Sequence, residues 1–216
     1  RFKRLDGYDV YFLTGTDEHG QKVETAAAAA GLPPQAFTDK VSQSFRDLIG
    51  VMDYSPDNFI RTTEPRHYAA CQALWEKLVA AGDIYEGKYA GWYSVRDETY
   101  FVEGETEVGP DNKRRATSTG AEVQWVEEPS YFFRLSAWAD RLLEYYEKNP
   151  AFIGPDSRRN EVMSFVKGGL QDLSVSRTSF SWGIPVPGDS RHIMYVWLDA
   201  LTNSITECGY PDQTNP

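Results

Sequence analysis

Between Val10 and Glu24 the chain reads VYFLTGTDEHGQKVE, an apolar run that ends in a glycine, two carboxylates, an imidazole and a second glycine. In an open α/β sheet such an ending lies where ligands bind, outside the carboxyl ends of the strands and beside the amino termini of the following helices. A carboxylate there can hold a ligand ammonium group through a charge-assisted hydrogen bond that also orients it. Asp17 is the candidate for that role, and it serves equally well as a cap for the next helix. Glu18 and His19 add a metal-binding reading. Adjacent residues rarely converge on one ion, however, and neither His67 nor His192 stands at a spacing that completes a site. His19 fits better as a hydrogen-bond donor near the helix terminus, toward an anionic ligand.

A second loaded stretch, YVWLDAL from Tyr195 to Leu201, reads as a strand running into a helix. Its aromatic residues suit a core. They also suit a second arrangement, in which Trp197, Ala200 and Leu201 line the same sheet edge as Asp17. An apolar, aromatic wall opposite a carboxylate is the equipment for an amino acid with an apolar side chain, and aromatic rings favour a thioether. The third feature, VSRTSFSWGIPVP, carries Arg177 just before strand character returns. It is either a surface arginine or, at a seam between two modules, a bidentate partner for phosphate or carboxylate oxygens.

These residues need elements to hold them. YDVYFLTG has the continuous apolar character of a strand buried in a parallel sheet, and GQKVETAAAAAG supplies a helix that Gly31, Pro33 and Pro34 bring to an end. A second helix starts near Pro34 with Phe37, Val41, Phe45, Leu48 and Ile49 on one stripe. DNFIRTTEP predicts a short strand and a helix start capped by Thr63, with Pro65 in the first turn and the helix running to about Gly82. Cys71 shares an apolar face of that helix with Tyr68, Leu74, Trp75 and Leu78, which points to a packed thiol. After Asp83 the texture changes to aromatic and β-branched residues broken by turn formers, the pattern of short antiparallel strands. The polar stretch Gly109 to Gly120 reads as a hairpin loop. Two helices follow, from about Ser136 and from about Asp156, before strand character resumes.

The expected fold is therefore α/β: a parallel-sheet domain over residues 1–82 and 181–216, interrupted at 83–180 by an inserted domain of short antiparallel strands and helices. The 216 residues, 41% hydrophobic and 25% charged, are enough for one substantial core or two smaller ones. A formal charge of -10 argues against a broad nucleic-acid-binding face, so any such contact is local. No apolar run is long enough to span a bilayer, and the two distant cysteines, Cys71 and Cys208, form no CxxC pair; a reducing cytoplasm is the expected location.

Taken together, FLTGTDEHGQKVE, GGLQDLSVSRTSFSWGIPVPGD and YVWLDALTN resemble, in order and separation, the methionyl-tRNA synthetases, a class I aminoacyl-tRNA synthetase family. KYAGWYSVRDETYF extends the resemblance through nearly the whole chain. It implies a Rossmann-type catalytic domain split by a connective-peptide insertion. It further implies ATP-dependent activation of L-methionine to methionyl-adenylate, with Mg²⁺ accompanying ATP, and transfer to the 3′ end of the tRNA for methionine. By the same resemblance Asp17 would hold the methionine ammonium group, and Trp197, Ala200 and Leu201 would border the side-chain pocket with support from Tyr195. Arg177 would act close to the reacting groups as the catalytic cation, and His19 would lie near the nucleotide. Three departures stand out. Ser94 and Asp97 occupy positions where many relatives carry a zinc-binding cysteine pair, so no structural zinc is expected. Ser204 replaces a tyrosine of the methionine pocket. The HIGH and KMSKS signatures would lie before Arg1 and beyond Pro216, so the chain alone is expected to be inactive and to meet tRNA mainly through regions outside it. Two rivals follow: a synthetase of the same class for another apolar amino acid, and a non-catalytic binding module.

Overall fold

The computed structural model describes residues 1–212. A short helix α1 (Phe2–Leu5) precedes β1 (Leu13–Thr16), α2 (Gln21–Ala29), α3 (Pro34–Val51), β2 (Asn58–Arg61) and α4 (Pro65–Ala80). Strands β1 and β2 pair in parallel, Leu13 against Asn58 through Thr16 against Arg61. Gly15 permits that pairing: a Cβ there would stand 1.9 Å from the Ile60 carbonyl oxygen. Gly20, at φ 113°, turns the chain from the strand end into α2.

The middle of the chain forms β3 (Ile84–Ser94), β4 (Thr99–Phe101), β5 (Thr106–Val108), β6 (Arg114–Ala116) and β7 (Gln124–Phe133), then α5 (Ala139–Lys148), α6 (Asp156–Lys167) and β8 (Leu173–Ser174). The sheet order is β4-β3-β7-β8, antiparallel throughout, with β3 and β7 in register from Ile84 opposite Phe133 to Tyr93 opposite Gln124. Strands β5 and β6 make the expected polar hairpin. The chain closes with β9 (Ser176–Arg177), β10 (Pro185–Val186), β11 (Asp189–Met194), α7 (Val196–Asp199) and α8 (Asn203–Glu207). Cys71 and Trp75 of α4 pack with Ile84, Val175, Ile184, Val186, Met194 and Leu198 in one core that joins the early helix to both later strand groups. No helix of the described residues is long and apolar enough to cross a membrane.

Several local expectations are corrected. Tyr195–Leu201 is not a strand: Tyr195 is the N-cap of α7, and the strand before it is Asp189–Met194. That strand joins β10 and β9 in an antiparallel sheet rather than extending the β1–β2 pair, because Pro187 and Gly188 (φ 82°) fold it into a tight hairpin. Helix α3 turns Thr38 and Ser42 inward and leaves Val41, Phe45 and Leu48 exposed, the reverse of the amphipathic expectation. The N-cap of α4 is Glu64, while the Thr63 hydroxyl donates to Glu18.

Candidate functional site

At the end of β1 successive side chains leave on opposite sides of the backbone, as extended chain requires. Glu18 goes inward and is buried. Its carboxylate accepts Arg61 Nε at 2.8 Å and Nη2 at 2.9 Å, the Thr16 hydroxyl at 2.6 Å and the Thr63 hydroxyl at 2.6 Å. Its backbone N–H donates to Thr62 Oγ1 at 2.9 Å, and its carbonyl accepts the Trp182 indole N–H at 2.6 Å. Glu18 is thus a structural buckle between β1, β2 and the later hairpin, which disposes of the metal-binding reading for this residue.

Asp17 goes outward into a cavity of about 260 Å³ whose walls include His19, Tyr93, Glu98, Trp182, Tyr195, Trp197 and Asp199. No side chain among the described residues pairs with its carboxylate, and Gly20 rather than Asp17 occupies the N-cap of α2, so the capping alternative falls away. Asp17 stays open to solvent, yet the walls remove enough water to push its carboxyl above the ordinary value, helped by the negative charge of Asp199 and opposed by His19.

Asp199 forms the floor. It is buried, with Oδ2 2.6 Å from His19 Nδ1 and Oδ1 2.8 Å from His67 Nε2. Burial alone would raise its carboxyl; the two imidazoles overcome that and hold it below the usual range. The other His19 ring nitrogen lies 2.9 Å from the Tyr68 hydroxyl, so both nitrogens are already engaged within the protein. Asp199 is the residue that sequence reasoning missed. Its signal was present but divided: His67 and Cys71 are four apart on α4, one face of a helix, and Asp199 sits within YVWLDAL. His67, Cys71 and Asp199 bring donor atoms within 4.8 Å of one another. Burial and the Asp199 charge push the Cys71 thiol up to about 12, which keeps it protonated, and His67 Nε2 is tied to Asp199. In this structure the three side chains form a buried hydrogen-bonded group.

The other expected site residues divide. Tyr195 and Trp197 line the Asp17 cavity. Trp197 also borders a second, strongly apolar cavity of about 310 Å³ with Leu74, Leu78, Phe133, Trp138 and Leu201. Leu201 lies on that side only, and Ala200 and Ser204 line neither cavity. Arg177 is buried rather than at the surface; Nη1 donates to Ser174 Oγ at 2.6 Å and to the Ser176 carbonyl at 2.7 Å. Its guanidinium stacks 3.6 Å from the centre of the Tyr195 ring, one layer behind the cavity wall. Between β3 and β4, Ser94 Oγ accepts the Asp97 N–H at 3.1 Å and Asp97 Oδ2 accepts the Thr119 hydroxyl at 2.6 Å. This knuckle is closed by hydrogen bonds and offers no thiolate, so its residues do not fit a zinc ion.

The family described as tRNA synthetases class I (M) matches the chain over residues 1–216. The chain is 61% identical over 212 residues to a methionine–tRNA ligase of Mesorhizobium japonicum, covering 98% of this chain and 41% of that protein. Against the Rickettsia bellii methionine–tRNA ligase it is 60% identical over 215 residues, again 41% of the relative. Among solved structures, Mycobacterium tuberculosis methionyl-tRNA synthetase bound by methionyl-adenylate overlays with a TM-score of 0.88 at 57% identity, covering 98% of this chain and 42% of that one. The free-state form of the M. tuberculosis enzyme overlays with a TM-score of 0.76, covering 98% of this chain and 40% of that one. The chain thus spans about two fifths of the length of these relatives.

Proposed function

The chain belongs to the class I (M) tRNA synthetases, and on that footing we propose that it carries the methionine site of a methionine–tRNA ligase, which activates L-methionine with ATP and passes it to tRNA. One observation carries the reading: Asp17, a carboxylate with no side-chain partner among the described residues, shares a cavity with the half-exposed ring of Trp197. Asp17 would hold the ammonium group of methionine, a contact that requires the ammonium to stay protonated, so Asp17 orients and does not act as a base. Trp197 would meet the thioether, a contact that sulfur and aromatic rings favour. Leu201 and Ala200 would complete the apolar side if the indole turns between the two cavities it borders.

Adenylate formation is an attack of the methionine carboxylate on the α-phosphate of ATP, with pyrophosphate leaving. Positioning and charge stabilisation suffice, and no protein nucleophile is needed. Mg²⁺ would arrive with ATP, held mostly by phosphates and water. Arg177 would serve as a fixed cation behind Tyr195, and the Asp199–His19 pair as a rigid floor beside the nucleotide. Residues 83–180 are assigned to the inserted domain and the flanking segments to the catalytic domain.

The test is amino-acid-dependent exchange of pyrophosphate into ATP by the parent polypeptide, with methionine beside leucine, isoleucine, valine and cysteine. Exchange with methionine is expected. Exchange with another amino acid alone would keep the class and overturn the substrate, and none from a folded parent would favour the non-catalytic rival. An apolar pocket distinguishes one methylene by only about 1–3 kcal/mol, so close methionine analogues should also be activated.

A further inference from the structure

The outer rim of the Asp17 cavity belongs to the insertion, and a single residue attaches it. Among the described residues, the turn from Val95 to Glu98 between β3 and β4 reaches polar groups outside residues 83–180 only through Glu98. The Glu98 carboxylate accepts the backbone N–H of Lys22 at 2.7 Å, in the first turn of α2, with Lys22 Nζ 3.7 Å from its other oxygen. The Glu98 carbonyl accepts the Tyr195 hydroxyl at 2.8 Å. Helix α2 follows directly on Asp17–Gly20, and Tyr195 leads into the turn of α7 that bears Trp197. Three walls of one cavity therefore meet at one glutamate.

The backbone makes the same point independently. Glu98 has φ 49°, in the left-handed region that glycine enters freely and asparagine or aspartate tolerates, while longer side chains are disfavoured there. The turn would form with less strain around glycine. What glycine would lose is the side-chain contact with α2, where a negative charge meets the unsatisfied N–H groups of a helix start.

We propose that Glu98 is a positioning residue for the methionine site: it fastens the insertion to α2 and to Tyr195, closing the cavity on its outer side and fixing Asp17 and Trp197 relative to each other. This rests on the reading of the cavity as an amino-acid site. Without the Glu98 carboxylate the β3–β4 turn loses its attachment to α2 and keeps only the hydrogen bond from the Tyr195 hydroxyl to its backbone carbonyl, so the wall that bears Asp17 is no longer held to the rim.

The experiment uses the full-length parent enzyme carrying Glu98→Gly, Glu98→Ala or Glu98→Gln. Three readouts are taken: methionine-dependent pyrophosphate exchange, thermal melting, and hydrogen exchange of the peptide containing Lys22. The glycine variant is expected to melt no lower than wild type and yet to raise the methionine KM about tenfold with kcat little changed, the pattern of lost ground-state positioning. The glutamine variant, whose amide oxygen still accepts from the Lys22 N–H, should recover most of the affinity. Exchange at Lys22 should be faster in the glycine and alanine variants. Faster exchange with an unchanged methionine KM would overturn the positioning role, and unchanged exchange would overturn the attachment itself. Absence of methionine-dependent activity in the wild type would refute the proposed substrate instead, while hydrogen exchange would still decide whether Glu98 fastens the rim.

Discussion

The floor and the mouth of the cavity treat carboxylates in opposite ways. Glu18 and Asp199, beneath, have hydrogen bonds to both oxygens and are buried. Asp17, at the mouth and one residue from Glu18, has no side-chain partner and an upward-shifted carboxyl. A satisfied charge inside a protein is rigid because removing any partner leaves the rest unpaired. An unsatisfied charge at an opening is available to a ligand and costs the empty protein some stability. Adjacent positions of one strand end therefore divide the work, Glu18 fixing the backbone from which Asp17 projects.

The largest effect that would break this contrast is on the Glu18 side. Replacing Glu18 by alanine strips Arg61 of a bidentate partner and leaves Thr16 and Thr63 without their acceptor. We expect a destabilisation of about 3–5 kcal/mol in denaturant unfolding, as for other broken buried pairs. A loss under about 1 kcal/mol would mean that the buckle is ornamental.

The second effect is on pH dependence. Because the Asp17 carboxyl is raised, methionine affinity should begin to fall on acidification at a higher pH than an ordinary aspartate would dictate. The stability terms have opposite signs. A raised carboxyl favours the folded state increasingly as pH falls, whereas Asp199, held below the usual range, contributes stability above that range and loses it as pH drops through its lowered folded value. A methionine affinity flat down to the ordinary aspartate range would contradict the assignment of Asp17.

The smallest effect sharpens the comparison from the other direction. Asp17→Asn removes the cost of a partly desolvated charge, so the unliganded parent should melt slightly higher, by on the order of a degree. A clear fall in Tm would place Asp17 with Glu18 among the structural groups.

The sequence disclosed the two sides unequally. The β1 end, the helices from Gln21, Pro34 and Pro65, and the antiparallel character of the insertion follow from local patterns of apolar runs, prolines and glycines, and all are present. Asp17 was readable as a charged residue at a strand end, though not distinguishable there from Glu18 beside it. The buried roles of Glu18 and Asp199 were not readable, because their partners Arg61, Thr63 and His67 are brought to them only by the parallel pairing of β1 with β2 and by the packing of α4 against α7. Two local patterns also misled. The apolar run through Trp197 has strand composition but follows a completed hairpin, so the chain turns into helix there; the stripe on α3 has helical spacing but faces outward. Arg177 was read either as a surface residue or as a cation at a seam; it is buried, and its place behind Tyr195 is hidden from any reading of neighbours in sequence.

The role of Asp17 is decided by methionine-dependent pyrophosphate exchange in the full-length parent carrying Asp17→Asn, beside wild type at neutral pH. At least a tenfold loss of kcat/KM for methionine is expected, equivalent to about 1.4 kcal/mol or more, in a protein that melts no lower than wild type. Unchanged exchange kinetics in the folded variant would contradict that role.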